Sequence, residues 1–371
     1  MSVLMADRPM YNMPYFAAAA RGISTIAWGG PGIAKTAYNK AYAETLGYDF
    51  IQFMPSHHIP EDICGTPVVF RDEMITRNLP QEMMKRLTKP MAWILLDEYN
   101  TGSAMMRAVL LQLTNERRLG YLTLHPTTIV TAAANPPERA PNASPLEESV
   151  SNRFLHWKWQ TPVADILTGL GKGGVYPAPR TVKFEDCELA DVAWGRKIEL
   201  FLEAKPEFIE QTPLNAEDMA FATPRTWHFV MKACAALDSV QAPAKDYEAI
   251  VSGCVGKTAA TMFIAFATSL DLYSAQQVME GTVKVDMSVS ADRLLQLPSA
   301  LIFHARRLLD EGRLEDGLVD NAFVCLLEMG ERGHIDAVKN PLGVIHHLKK
   351  GYRPPQEYRL RLGSLIAQIL A

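Results

Sequence analysis

Cysteine is scarce, and its placement excludes two kinds of scaffold. The five cysteines, Cys64, Cys187, Cys234, Cys254 and Cys325, are far apart and form no C-x-x-C pair. Neither a disulfide framework nor a thiolate zinc site is expected, and a reducing cytosol fits. Charge of one sign is also lacking. A net charge of −4 gives no footprint for nonspecific nucleic-acid binding. The basic spot of Lys349, Lys350 and Arg353 reads as a solvated helix end. The longest apolar run, Ala259 to Leu270, is too short to cross a bilayer. The N-terminus lacks a signal-peptide pattern, so secretion is not expected. No internal repeat or long low-complexity tract stands out. An aromatic content of 9% offers no base-stacking platform.

What remains is ordinary globular material. The chain has 371 residues, 48% of them hydrophobic, enough for two or three domains with a sizeable core. Short apolar runs at Ile23–Trp28, Asp49–Phe53, Trp93–Leu96, Thr128–Ala134 and Phe154–Trp159 alternate with helical stretches such as Thr36–Leu46. Buried runs in that alternation predict a parallel sheet covered on both faces. Residues 161–190 are rich in Gly, Pro and Lys and read as a linker or mobile loop. Beyond about 191 the pattern turns helical: Ala193–Ala204, Pro224–Leu237, Tyr247–Leu270, Ser290–Glu311, Gly317–Arg332 and Gln356–Leu370.

The first chemical motif is Gly29-Gly30-Pro31-Gly32-Ile33-Ala34-Lys35-Thr36. Its spacing is that of a phosphate-binding loop. Small residues let successive N–H groups turn inward around an anion, and a helix N-terminus follows. Lys35 would reach the β- and γ-phosphates, and Thr36 would offer a hydroxyl to Mg²⁺. Ala34 replaces the usual glycine before the lysine. A second Gly-Lys-Thr at 256–258 has Val251 where the first glycine should be and no strand before it, so it reads as a helix face.

Trp93-Ile-Leu-Leu96 ends in Asp97-Glu98. Ligands bind at the carboxyl ends of strands in open α/β sheets. There Asp97 could hold Mg²⁺ through water, and Glu98 could orient and deprotonate an attacking water. Asn135 ends the run Ile129–Ala134 and could help fix that water, though by itself it is a loop-starting Asn-Pro. Arg153 suits charge on a transferring phosphoryl group, and is equally able to pair with a nearby acid. Arg225 sits at an expected helix start, against the helix dipole. That is compatible with a nucleotide-facing role or with a plain solvated arginine. The pairs His57-His58 and His346-His347 lack a third ligand at metal spacing and read as surface or core histidines. The 17 methionines read as packing residues.

The order of these elements resembles an AAA+ ATPase, and the finer pattern resembles its MoxR branch. Gly-Gly-Pro-Gly-Ile-Ala-Lys-Thr is similar to that branch's loop, including the alanine. Glu61-Asp-Ile-Cys-Gly-Thr-Pro67, Asp97-Glu-Tyr-Asn100, Pro145-Leu-x-Glu148 with Arg153-Phe154, and Thr223-Pro-Arg225 are similar to its other segments. The resemblance covers residues 20–235. Thr101 and Asn152 depart from it, standing where arginine and aspartate are frequent. No Gly-Gln adenine motif precedes Trp28, and the extension after about 270 resembles no named family.

The resemblance implies an α/β phosphate-loop sandwich over residues 1–165, a linker and α-helical lid over 166–270, and a helical extension over 271–371. It implies hairpins near 66–80 and 117–127 that face a pore or a client. It implies ATP with Mg²⁺, with residues 29–36 and Asp97 binding and with Lys35, Thr36, Asp97, Glu98, Asn135 and Arg225 acting in cis. Arg153 would reach a neighbour's nucleotide in a hexameric ring. The expected activity is ATP-driven remodelling of a partner protein, of which the resemblance implies one class bearing a von Willebrand A domain, in the cytoplasm. A DNA-acting motor and a weakly hydrolysing nucleotide-binding scaffold are the alternatives.

Overall fold

Continuous apolar runs such as Ala92–Leu96 and Ile129–Ala134 can be stable strands only when both faces are covered. In the computed structural model all five expected runs form one parallel sheet. The structure describes residues 12–79, 82–120, 122–136, 144–160, 184–213, 219–270, 273–287, 297–349 and 351–370, with 138, 167, 182 and 294. The first part runs α1 (Met13–Ala20), β1 (Thr25–Trp28), α2 (Lys35–Thr45), β2 (Asp49–Phe53), α3 (Pro60–Cys64), β3 (Thr66–Phe70) and β4 (Ile75–Leu79). It continues with α4 (Glu82–Lys85), β5 (Ala92–Leu96), α5 (Ala104–Leu111), β6 (Arg118–Leu119), β7 (Leu122–Thr123), β8 (Ile129–Ala134), α6 (Glu148–Ser151) and β9 (Leu155–Lys158).

The sheet order is β2-β5-β8-β1-β9, with every pairing parallel. The carboxyl ends of β5, β8 and β1 are therefore neighbours, and they carry Asp97, Asn135 and the 29–36 loop. Both expected hairpins form as antiparallel pairs, β3 with β4 and β6 with β7. Ile26, Trp28, Ile94, Leu96, Val130 and Ala132 pack one face against Tyr99, Met106, Leu110 and Phe154. The other face is aromatic. Phe16 of α1 stacks on Tyr42 of α2 and meets Trp93 and Trp159 edge-on. Thr131 of β8 accepts from Trp93 and donates to Asn39 of α2, while Asn39 Nδ2 donates to the Lys35 carbonyl. This satisfied buried network ties the first turn of α2 to the sheet.

The later part is helical: α7 (Phe184–Ala204), α8 (Pro224–Ser239), α9 (Ala244–Val255), α10 (Lys257–Leu270), α11 (Ala275–Met279), α12 (Leu297–Asp310), α13 (Asp316–Glu331), α14 (Ile335–Leu348) and α15 (Gln356–Leu370). The fold is thus an α/β phosphate-loop sandwich followed by helical segments. Two expectations need correction. The expected helix Tyr247–Leu270 breaks at Gly256 (φ 83°), where an added Cβ would lie 2.7 Å from the Ala220 carbonyl oxygen. The Gly-Lys-Thr at 256–258 is a helix junction. Of the expected linker 161–190, α7 already occupies the last part from Phe184. Residues 161–166, 168–181 and 183 lie outside the described residues, as do 290–293, 295 and 296 of the expected helix from Ser290.

The chain divides into two compact units. One comprises Met1–Cys187 with Lys205–Met262, the other Glu188–Ala204 with Phe263–Ala371. In the first, α9 docks on β9 so closely that a Cβ on Gly253 would fall 2.1 Å from the His156 carbonyl oxygen. The second has its own core, with Leu301, Ile302, Phe323, Leu326, Val338 and Ile345 at its centre.

Candidate nucleotide site

The 29–36 loop leaves β1 with Gly29 N–H donating to the Ala134 carbonyl (3.2 Å). A Cβ at Gly29 would lie 2.5 Å from Ile33 Cδ1 and 3.3 Å from Trp159 Cβ, so a larger residue there would make the Ile33 side chain shift. Gly32 (φ 75°) and Ala34 (φ 62°) both take the left-handed conformation. Ala34 pays a small steric cost for it, because its Cβ crowds the following carbonyl. Pro31 and Gly32 are exposed, while Lys35 is buried at the base of the loop. Lys35 Nζ donates to the carbonyls of Gly29 (2.6 Å) and Gly30 (2.9 Å) and to Asn135 Oδ1 (2.9 Å). Burial pushes its pKa down, and the charges of Asp97 and Glu98 work the other way.

The acid pair meets the loop directly. Thr36 Oγ1 donates to Asp97 Oδ2 at 2.7 Å, and Gln52 Nε2 of β2 donates to the same oxygen at 2.9 Å. Asp97 Oδ1 accepts the Glu98 N–H (3.1 Å), with Glu98 itself left-handed at φ 51°. A non-glycine residue held there marks a backbone that its surroundings over-determine. Asn100 clamps the Asn135 peptide, donating to its carbonyl (2.8 Å) and accepting its N–H (3.4 Å). The structure therefore brings together Lys35, Thr36, Asp97, Glu98 and Asn135. Asn135 turns its amide oxygen to Lys35, since an ammonium can only donate. Gln52, Asn39 and Asn100 complete this arrangement, and Gln52 and Asn39 had no signal beyond being polar residues in apolar surroundings.

Arg153 and Arg225 form a separate group. Arg153 Nη1 donates to the Ser149 carbonyl in the turn before β9, at the amino edge of the sheet. Asn152 Oδ1 accepts from Thr223 Oγ1 (3.1 Å) and Arg225 Nη1 (3.3 Å). Partial burial and then the charge of Arg153 lower the pKa of Arg225. The helix-start arginine thus sits with the arginine turn, while the Thr223 side chain caps α8 by accepting from Thr226 N–H.

The residues present fit a magnesium nucleotide. Thr36 and Asp97 offer hard oxygens in mutual contact, the donor type that magnesium takes. The loop ends in the N-terminus of an 11-residue helix, where N–H groups and dipole favour an anion.

Residues 25–156, about a third of the chain, match the family model described as "ATPase family associated with various cellular activities (AAA)". That match supports an AAA-family ATPase domain with a nucleotide-binding role over this part of the chain. No curated protein matches the chain. Among solved structures, the chain is similar to the crystal structure of a candidate ATPase from Cytophaga hutchinsonii, at 18% identity and a TM-score of 0.44. The similarity covers 66% of this chain and 80% of that one.

Proposed function

We propose that this protein is a MoxR-like AAA+ ATPase that hydrolyses ATP in a hexameric ring and uses the energy to remodel a partner protein. The observation that carries the reading is the contact between Thr36 and Asp97, with Lys35 on Asn135 beside it. Three strand ends so joined make a phosphate site with an acid next to it. Residues 29–36 would cradle the phosphates through backbone N–H groups, with Lys35 turning from the loop carbonyls to them. Thr36 and Asp97 would hold Mg²⁺, which neutralises phosphate charge when bound. Glu98 would orient the attacking water and take its proton, and the clamped Asn135, which holds Lys35, would help fix that water. Arg153 would serve a neighbour's nucleotide, and Arg225 would add compensating charge.

The domain assignment is 1–165 for nucleotide binding, 166–270 for a linker and lid, and 271–371 for the extension. The β3–β4 hairpin, with Val69 and Met74 exposed, suits client contact. The client would be a protein, of which one class carries a von Willebrand A domain. Among the described residues no helix is long and apolar enough to cross a membrane, and the assigned compartment is the cytoplasm. The test is a pair of variants. Lys35→Ala should abolish binding of Mg²⁺-nucleotide. Glu98→Gln should bind ATP yet lose turnover by about 100-fold or more, roughly 2.7 kcal/mol of barrier. Full ATP turnover by Lys35→Ala would sink the reading.

A further inference from the structure

His156 lies in β9, paired in register with Ile26 of β1. Its half-buried ring meets partners from three separate parts of the first unit. The Trp28 indole N–H donates to His156 Nδ1 at 2.9 Å. An indole nitrogen has no acceptor role, so Nδ1 must carry the lone pair and Nε2 the proton. Nε2–H then donates to the Ser151 carbonyl at 2.9 Å. Ser151 Oγ, 3.2 Å from the same nitrogen, donates onward to the Met219 carbonyl at 2.6 Å. Trp28 is the residue before the phosphate loop. Ser151 is two residues before Arg153. Met219 begins the described stretch that leads to Thr223 and Arg225. The backbone of His156 is also where α9 docks, through Gly253.

β1 and β9 have four residues each, so their two edges lie about 13 Å apart. Phosphate loop and arginine turn stand at opposite edges. We propose that His156 is a positioning residue that couples the phosphate loop to the arginine turn and to the segment entering α8, by holding Trp28, Ser151 and Met219 in one hydrogen-bonded chain. Its one proton and one lone pair are each assigned, and the ring touches no reacting atom. Burial favours the neutral form that this pattern requires.

The proposal rests on the nucleotide-binding reading, and its test keeps the two apart. Hydrogen exchange is followed by mass spectrometry in the full chain, with and without Mg²⁺-ADP and Mg²⁺ with a non-hydrolysable ATP analogue. In the wild type, exchange should slow at 29–36, at 149–154 and at 219–226. His156→Leu should keep the response at 29–36 and lose it at the two distant segments. His156→Gln, whose amide supplies one acceptor and one donor, should restore it. Trp28→Phe should reproduce His156→Leu. In turnover, His156→Leu should lower kcat by about 10-fold with KM changed less than threefold. Distant responses that persist in folded His156→Leu would overturn the proposal, as would a His156→Gln defect equal to that of His156→Leu. Absence of any wild-type response at 29–36 would instead strike the nucleotide reading itself, and the coupling would fall with it.

Discussion

Lys35 follows β1, and Arg153 precedes the strand paired with it, yet their surroundings differ in kind. Lys35 is buried, spends three N–H groups on three oxygens, and lies within the field of Asp97 and Glu98. Arg153 and Arg225 face each other's charge, with a neutral amide, Asn152, accepting from Arg225. Asn152 Nδ2 and Arg153 Nε are buried with no partner among the described residues. The first group is a closed, charge-compensated cradle. The second is a cationic turn short of an acceptor. Two cations with no ion pair to an acid among the described residues carry a standing cost, and an anion supplied from outside would offset it.

The largest expected effect breaks the second group through its anchor. The His156 pKa is pushed down from 6.5 to about 4 by burial. The unfolded chain therefore takes up this proton first as pH falls. Its contribution to stability is complete above about 6.5 and is lost as pH falls to about 4. At 1.36 kcal/mol per unit that amounts to about 3 kcal/mol. Urea unfolding at pH 7 and pH 4 should show this loss in the wild type. His156→Gln should lack that part of the slope, while sharing the slope from carboxylates such as Glu147 and Asp49, whose arginine partners lower their pKa values. Equal slopes in both proteins would mean that the imidazole is not held neutral.

The contrast between the groups also governs what was legible beforehand. Lys35, Thr36, Asp97 and Glu98 stand in short contiguous motifs, each on a strand end marked by continuous apolar residues. Those strands could be read because β1 and β5 are buried on every residue. His156 could not be read, because its indole partner is 128 residues away and a histidine in a strand resembles a gap in the apolar run. Gln52 is hidden for a related reason: it is the polar residue of an alternating strand, and only the β2–β5 pairing aims it at Asp97. α1 gives no periodic signal, since seven of its eight residues are buried. α14 carries Pro341 inside it and looks broken, yet Val338, Leu342 and Ile345 line one buried face.

A smaller effect sharpens the comparison from the charge side. Asn152→Asp places a carboxylate where Thr223 and Arg225 already donate. Because Arg225 is exposed, the gain is modest, about 1 kcal/mol. Thermal unfolding should shift upward, and the shift should shrink in high salt. A fall in stability would show that the turn is not short of an anion, and the two groups would be less different than their contacts suggest.

The smallest effect concerns the cradle. Ala34 holds φ 62° and ψ 22° at the N-cap of α2, with its side chain making no cap hydrogen bond. An alanine there costs about 1–2 kcal/mol relative to a residue without a Cβ. Glycine removes that cost but adds about 0.5–1 kcal/mol of backbone entropy to the unfolded chain. Ala34→Gly should therefore stabilise by only about 0.5 kcal/mol in urea titration, with nucleotide affinity nearly unchanged. The sign matters more than the size. If the left-handed turn is imposed by the closed contacts of Lys35 and Thr36, relieving it must not loosen the loop. Weaker nucleotide binding in Ala34→Gly would mean that the alanine, by narrowing the backbone's choices, is itself part of what keeps the cradle shaped.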